Sequence, residues 1–410
     1  MNVLKLNVRF LSSLLVIGVV AGCIGVLFTV LLHTIQHYAF GYGFLDAHMS
    51  FREGVEQATP VRRLWVLLAC GLVAGVGWVM VHRYCKPLVE VKNALKGEAM
   101  PFRATTWHAL LQIVTVGMGS PLGREVAPRE MSVAVAEKWS GYRGLSADER
   151  RVLLACASGA GLAAVYNVPF AATIFILETL LLSWETPLVV AALMTSGTAA
   201  MVTRTVLGDV VQYVVPQIPF EHSLVGWALV AGPLIALGVY AFDRCVLKLP
   251  KLPRKSPKMI VLSVACFGLI GAVSMYYPGI LGNGKAGNQL TFAALIDWEY
   301  ATGLLAAKWL AVILAMLAGA YGGRLTPSMM LGGLLGLLFA VAWNVYFPVV
   351  PLGAAAFVGA AVFLGLSQKM VLTALVFMLE VSRFSTAYWM PLCVCMVGGL
   401  FVYQMLQRKA

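Results

Sequence analysis

The chain has 410 residues, of which 60% are hydrophobic and only 12% are charged, and its formal net charge is +12. This composition excludes an ordinary water-soluble domain, in which about a quarter of the residues are charged. The basic residues lie in short segments between apolar runs, so the sequence predicts contact with membrane lipid and no nucleic-acid partner.

Long uncharged runs recur along the chain. A helix crosses a bilayer with about 20 apolar residues, and runs that could each do so occupy 10–32, 64–81, 152–177, 223–242, 259–284 and 384–407. The first run is too long for a removable signal peptide and is predicted to remain as the first helix. The run 325–368 is too long for one crossing, which predicts several helices folded back on one another. We therefore predict an all-α polytopic membrane protein.

The positions of the basic residues predict the orientation of the chain. They precede the first apolar run, follow the last one, and cluster in two loops: Lys5, Arg9, Arg143, Arg150, Arg151, Arg244, Lys248, Lys251, Arg254, Lys255, Lys258, Arg408 and Lys409. By the positive-inside rule, both termini and the segment 244–258 should be cytoplasmic.

A charged pair stands among glycine and proline residues in the segment 119–128, GSPLGREVAP. A carboxylate at the broken end of a membrane-embedded helix is costly, so Glu125 is predicted to be a proton or ion site. The alternative is a buried structural ion pair of Glu125 with Arg124 or Arg129.

Three segments recur at an offset of about 200 residues: 123–128 with 323–327, 158–161 with 358–361, and 170–178 with 372–380. The repeat predicts two homologous transmembrane halves, 1–243 and 259–410, joined by a basic linker at 244–258. Interrupted helices at matching places in two halves are typical of transporters. Because helix N-termini attract anions, the sequence predicts an anion pathway that Glu125 gates or couples.

These motifs resemble signatures of the CLC chloride channels and transporters. Gly123-Arg124-Glu125 with Pro128 resembles the family's Gly-Arg-Glu-Gly-Pro, residues 322–327 resemble its Gly-x-Phe-x-Pro, and Tyr166-Asn167-Val168-Pro169-Phe170 resembles its Asn-Ala-Pro-Leu segment. The resemblance covers nearly the whole chain. It implies a homodimer with one pathway per subunit, each built from an inverted repeat with broken and tilted helices.

The resemblance also implies roles for residues. Glu125 corresponds to the external gate, which blocks the anion path when charged, swings away and takes up protons. The anion would lie against Lys86, Gly123, Arg124, Val126, Ala127, Gly323, Arg324, Leu325, Thr326 and Tyr388.

The sequence departs from the family pattern at several of these places. Lys86 replaces the serine that touches the anion, and a cation there favours small, strongly hydrated anions; alternatively Lys86 extends to the membrane interface. Leu325 replaces a phenylalanine. Thr179 stands where many proton-coupled members carry an internal glutamate, with Glu178 one position earlier, and Tyr388 is either the pore tyrosine or an interfacial aromatic residue.

The loss of the serine loop, and Val126-Ala127 in place of the glycine of the first signature, resemble the divergent bacterial branch that exports fluoride in exchange for protons. The sequence hypothesis is therefore fluoride/proton antiport in a bacterial inner membrane. The alternatives are transport of chloride or another anion such as nitrate, in exchange for protons or through a channel.

An intramembrane enzyme is the alternative from another class. The sequence contains no His-Glu-x-x-His or Gly-x-Ser-x-Gly motif. His33 and His37, with Asp46 and His48, offer only a weak metal site, and the cysteines are scattered in apolar runs. We predict no catalytic activity, no cofactor and no metal.

Overall fold

A computed structural model describes residues 6–42, 49–213, 215, 222–250, 252–383 and 388–408. In these ranges the chain forms α-helices α1 Val8–Phe40, α2 Phe51–Gln57, α3 Pro60–Tyr84, α4 Val91–Ala94, α5 Phe102–Gly117, α6 Val126–Tyr142, α7 Ala147–Tyr166, α8 Pro169–Phe175, α9 Thr186–Leu207, α10 His222–Leu247, α11 Lys258–Ser274, α12 Lys285–Phe292, α13 Trp298–Leu317, α14 Leu325–Tyr346, α15 Leu352–Gln368, α16 Val371–Ser382 and α17 Trp389–Arg408. A π-helix, Ile176–Leu181, and a 3₁₀ turn, Pro278–Ile280, complete the regular structure.

The helices confirm the predicted all-α membrane protein. Among the described residues, seven helices are long and apolar enough to cross a membrane: α1, α3, α9, α10, α13, α14 and α17. The long run 325–368 forms two helices, α14 and α15, as predicted.

The run 152–177 differs from the expectation of one continuous crossing. It breaks between α7 and α8, where Asn167 adopts φ 61° and its N–H donates to Ala163 O at 2.8 Å. Asparagine tolerates this left-handed conformation better than most residues, and Pro169 starts the next helix without needing a donor. Local turn chemistry therefore overrides the apolar pattern.

Backbone turns recur with the offset of the sequence repeat. Pairs of positive-φ residues about 200 apart are Gly119 with Gly319, Asn167 with Lys369, and Leu182 with Arg383. In the first two pairs, the next residue donates its N–H to the carbonyl five positions earlier, the hydrogen bond of a Schellman motif. The repeat thus extends from sequence to local conformation, while superposition of 1–243 and 259–410 as inverted halves stays a prediction.

The chain forms two compact units, which interleave along the sequence. The first unit comprises 1–33, 80–114 and 124–212, and the second comprises 34–79, 115–123 and 213–410. The boundaries of these units therefore differ from those of the predicted halves. The predicted linker 244–258 begins inside α10 and reaches the start of α11; its Lys251, like Lys5 and Lys409, lies outside the described residues.

One almost wholly buried helix forms the centre of each unit. In the first unit, α7 packs against α4, α6, α8 and α9. In the second unit, α15 packs against α10, α12, α14, α16 and α17. Small residues permit the close approach of helices: a Cβ at Gly161 would lie 2.7 Å from Pro128 O, and one at Gly359 would lie 2.4 Å from Gly332 O.

Candidate functional site

The two signature segments meet at a pair of glycines in the second unit. Gly123 and Gly323 form an isolated antiparallel bridge, in which Gly123 N–H donates to Gly323 O at 2.6 Å and Gly323 N–H donates to Gly123 O at 2.8 Å. A Cβ on the neighbouring Gly322 would lie 2.6 Å from Leu122 Cβ, so a side chain there would force the two signature segments apart. The sequence repeat predicted this meeting of the two motifs, and the structure contains it.

A buried lysine is linked to the first signature segment through hydrogen bonds. Lys308 on α13 is fully buried, and its Nζ donates to Ile280 O at 2.8 Å and Gly282 O at 3.0 Å. The N–H of Gly282 in turn donates to Gly119 O at 3.0 Å. Sequence reasoning missed Lys308, although a lone lysine within an apolar 20-residue helix was a signal available in the sequence.

Glu125 lies in the first unit, at the start of α6. The residue is completely buried and is the N-cap of the helix, but its side chain makes no capping hydrogen bond. Instead, Tyr166 at the end of α7 donates its hydroxyl to Glu125 Oε2 at 3.2 Å. The carboxylate thus lies within the favourable field of a helix N-terminus.

The two arginines near Glu125 make hydrogen bonds elsewhere. Arg124 Nη2 donates to Val165 O at 3.2 Å, and its guanidinium lies 5.6 Å from the centre of the Tyr166 ring. Arg129 Nε donates to Ser158 Oγ at 3.2 Å, although it remains close enough to attract Glu125 electrostatically. The described contacts therefore give both arginines a structural role in holding α6 to α7.

The helix starts after both signatures share one pattern. α6 begins with Val126, Ala127 and Pro128, and α14 begins with Leu325, Thr326 and Pro327. Proline in the third position fits because the first turn of a helix has no intrahelical partner for its N–H groups. Ala127, Leu325 and Thr326 are buried, whereas Val126 is partly exposed.

Arg324 faces a polar group in the second unit. Asp243 accepts a 2.5 Å hydrogen bond from the Tyr403 hydroxyl, and Arg324 and Lys369 lie close enough to attract the Asp243 carboxylate. The side chain of Arg324 is partly exposed. Asp243 and Tyr403 were not predicted from the sequence, because the contact joins α10 to α17 across 160 positions.

The remaining predicted residues lie in different settings. Lys86 is exposed in the loop between α3 and α4, as its interfacial alternative expects. Tyr388 is 1% exposed, which favours a residue inside the protein over an aromatic at the membrane interface. Thr179 lies in the π-helix and donates its hydroxyl to Phe175 O at 2.7 Å, while Glu178 is partly exposed.

The predicted site residues fall into two groups, one in each unit. Arg124, Glu125, Val126 and Ala127 lie together at the start of α6 in the first unit. Gly123, Gly323, Arg324, Leu325 and Thr326 lie together in the second unit. Lys86 belongs to the first unit and Tyr388 to the second.

Metal ligation was the weak alternative from the sequence. His37 contacts Tyr42, with Nδ1 3.1 Å from the Tyr42 carbonyl oxygen, and Asp46 and His48 lie outside the described residues. Within the described part of the chain, no three or more His, Cys, Asp or Glu side chains form a group that could hold a metal ion.

Comparison with known proteins agrees with the motifs. The family model described as "Voltage gated chloride channel" (Voltage_CLC) matches residues 70–404. The H(+)/Cl(-) exchange transporter ClcA of Vibrio cholerae serotype O1 is 25% identical over 98% of this chain and 87% of its own length. ClcA of Citrobacter koseri is 26% identical over 99% of this chain and 87% of its own length.

Solved structures share the fold at low sequence identity. A slow cyanobacterial Cl-/H+ antiporter aligns with a TM-score of 0.83 and 17% identity, covering 99% of this chain and 98% of that one. A CLC-type fluoride/proton antiporter aligns with a TM-score of 0.69 and 18% identity, covering 96% of this chain and 95% of that one.

The fold, the paired signatures and the family match together define a membrane anion-transport protein. The chain belongs to the CLC (voltage gated chloride channel) family. Membership favours transport over the enzyme alternative and supports exchange of anions and protons as its general activity.

Proposed function

We propose that this protein exchanges a halide anion for protons across the membrane, with Glu125 as both the gate and the proton-carrying residue. The observation that carries the proposal is the complete burial of the Glu125 carboxyl at the N-terminus of α6.

The coupling follows from competition for one electrostatic field. The N-terminus of α6 favours negative charge, whether from the Glu125 carboxylate or from a permeating anion. Protonation removes the carboxylate charge, so the neutral acid competes less well with the anion. By linkage, binding of an anion must then favour protonation of Glu125 to the same degree.

The substitution Glu125→Gln tests this role, because it keeps the size of the side chain and removes its titration. In proteoliposomes that carry an anion gradient, we expect anion efflux to continue while coupled proton movement is lost. Glu98→Gln is the matched control, since Glu98 is exposed in the loop before α5. Proton movement at the wild-type ratio in Glu125→Gln would refute the assignment.

The sequence hypothesis for the anion is fluoride, which rests on the absence of the family's serine loop and on Lys86. Fluoride is the halide with the most hydration to replace, so a cation beside it would favour it over chloride. That hypothesis needs Lys86 to approach the anion during transport, although its side chain is exposed.

Chloride is the second candidate, and the ClcA relatives favour it because their names describe H(+)/Cl(-) exchange. Efflux from vesicles loaded in turn with fluoride and chloride, with external pH recorded, separates the two. Anion efflux without proton movement in the wild-type protein would instead indicate a channel.

We also propose a homodimer in a bacterial inner membrane, with both termini cytoplasmic. The orientation is supported by the basic residues that flank the apolar runs, including Arg9 before α1 and Arg408 at the end of α17. Protease accessibility of terminal tags in inverted membrane vesicles would test it, and the mass of the detergent-solubilised protein would test the dimer.

A further inference from the structure

Glu125 is completely buried, so a proton that it releases must pass other groups before it reaches water. Tyr166 donates its hydroxyl to Glu125 Oε2, and a phenol that still carries its own proton is a poor proton acceptor. Thr179 does not titrate, and its hydroxyl is committed to the Phe175 carbonyl. A second titratable group along the route would receive this proton.

The first unit contains such a group on the same helix as Glu125. Glu130 is five residues farther along α6, about 7.5 Å along the helix axis. Its Oε2 accepts a hydrogen bond from Gln112 Nε2 at 3.1 Å and lies 3.5 Å from His108 Nε2. His108 and Gln112 are both buried on α5.

The contacts of Glu130 distinguish it from other acidic residues of the unit. Glu137 forms a 2.5 Å ion pair with Arg150, and Glu149 forms one with Arg9, so each carboxylate faces a permanent cation. Glu130 instead contacts an imidazole, which gains and loses a proton near neutral pH. Arg129, adjacent in sequence, is close enough to attract both Glu125 and Glu130.

Glu130 lies nearer the protein surface than Glu125. Its side chain is 15% exposed, in contrast to the fully buried Glu125, and it lies close enough to the exposed Glu90 for electrostatic repulsion. Glu90 precedes α4, and Arg150 holds the same region through hydrogen bonds to Ala94 O and Glu98 O. Arg150 is among the basic residues that predict the cytoplasmic side.

We propose that Glu130, paired with His108, is the inner proton-accepting residue that connects Glu125 with the surface at Glu90. In this step the Glu125 O–H bond breaks, and its proton passes through water to the Glu130 carboxylate or the His108 imidazole. Glu125 is left as a carboxylate, and the accepted proton then leaves to water near Glu90. The inference rests on the proposed function of Glu125.

The test compares proton and anion movement in proteoliposomes for Glu130→Gln, Glu130→Asp and the exposed control Glu98→Gln. We expect Glu130→Gln to retain anion efflux while its coupled proton movement falls by about 10²-fold or more, the scale of a lost general acid–base group. Glu130→Asp should recover much of the ratio, because it restores a titratable carboxyl; a merely structural role would not require titration.

Several results would overturn the inference. A wild-type ratio in Glu130→Gln would do so, as would loss of coupling in Glu178→Gln but not in Glu130→Gln. If Glu130→Gln does not fold, His108→Gln decides: a reduced ratio supports the pair, and an unchanged ratio refutes it. Failure of the proposed function is distinct, because the wild-type protein itself would then move no protons.

Discussion

The contact between α6 and α7 gives a sharp test of how the fold holds Glu125. A Cβ at Gly161 would lie 2.7 Å from Pro128 O, 2.8 Å from Pro128 C and 2.9 Å from Arg129 Cα. These atoms are backbone and cannot rotate away. Reaching the start of ordinary contact at 3.4 Å requires the helices to separate by 0.7 Å. Gly161→Ala should therefore move α6 and lengthen the 3.2 Å hydrogen bond between Tyr166 and Glu125.

The energetic cost of Gly161→Ala combines two opposing effects. Overpacking costs about 1–3 kcal/mol, and replacing glycine within a helix recovers about 1 kcal/mol. Gly197→Ala on α9 is the matched control, because a Cβ there meets no atom within 4 Å. The control keeps the gain without the clash, so the two variants should differ by about 1–3 kcal/mol.

A thiol-reactive dye provides the assay for this pair of variants. Cys156 is buried on α7, so we expect it to react only when the unit unfolds on heating in detergent, once the exposed Cys23, Cys245 and Cys393 have been replaced by serine. We expect a lower unfolding midpoint and a lower proton-to-anion ratio for Gly161→Ala than for Gly197→Ala. Equal midpoints would refute the packing argument, and a lower midpoint with unchanged coupling would separate stability from the placement of Glu125.

Two further predictions concern Tyr403 and Lys86. Tyr403→Phe should lower the unfolding midpoint of the second unit by the equivalent of about 1–2 kcal/mol, because Asp243 loses a 2.5 Å hydrogen bond while half-buried. Dye reaction of Cys395, buried on α17 in the same unit, reports this midpoint, and an unchanged midpoint would contradict the prediction. If fluoride is the anion, Lys86→Met should weaken fluoride efflux relative to chloride efflux in proteoliposomes. An unchanged preference would make Lys86 an interfacial lysine and remove the main support for fluoride.

Sequence was sufficient for the features that composition and local pattern control. Long apolar runs predicted α1, α3, α10, α14 and α17 but not α9 and α13, and glycine and proline at 119–128 predicted a break before α6. The repeat also predicted the meeting of Gly123 with Gly323. It did not predict the break at Asn167, because an uncharged turn leaves the apolar run uninterrupted.

Contacts between distant helices were beyond the reach of sequence reasoning. The pairing of His108 with Glu130 depends on how α5 packs against α6, and that of Asp243 with Tyr403 depends on α10 and α17. Histidine in an apolar helix is compatible with many environments. Lys86 shows the opposite difficulty, since its position in a motif alignment suggested a role near the anion but gave no information about its exposure.

Equivalent positions in the two copies of the repeat carry side chains with different roles. His108 and Lys308 occupy equivalent positions 200 residues apart, on α5 and α13, and both are buried. Lys308 donates to the carbonyls of a loop that supports Gly119, whereas His108 faces a carboxylate.

The carboxylates of Glu125 and Glu130 belong to the first copy of the repeat alone. Aligned by the starts of α6 and α14, Glu130 corresponds to Met329, which is apolar and buried, and the second signature has no carboxylate between Arg324 and Pro327. Each copy retains the Gly-Arg pair and a helix start that suits an anion. Duplication therefore explains the paired helix starts, while the proposed proton route requires the residues by which the first copy differs from the second.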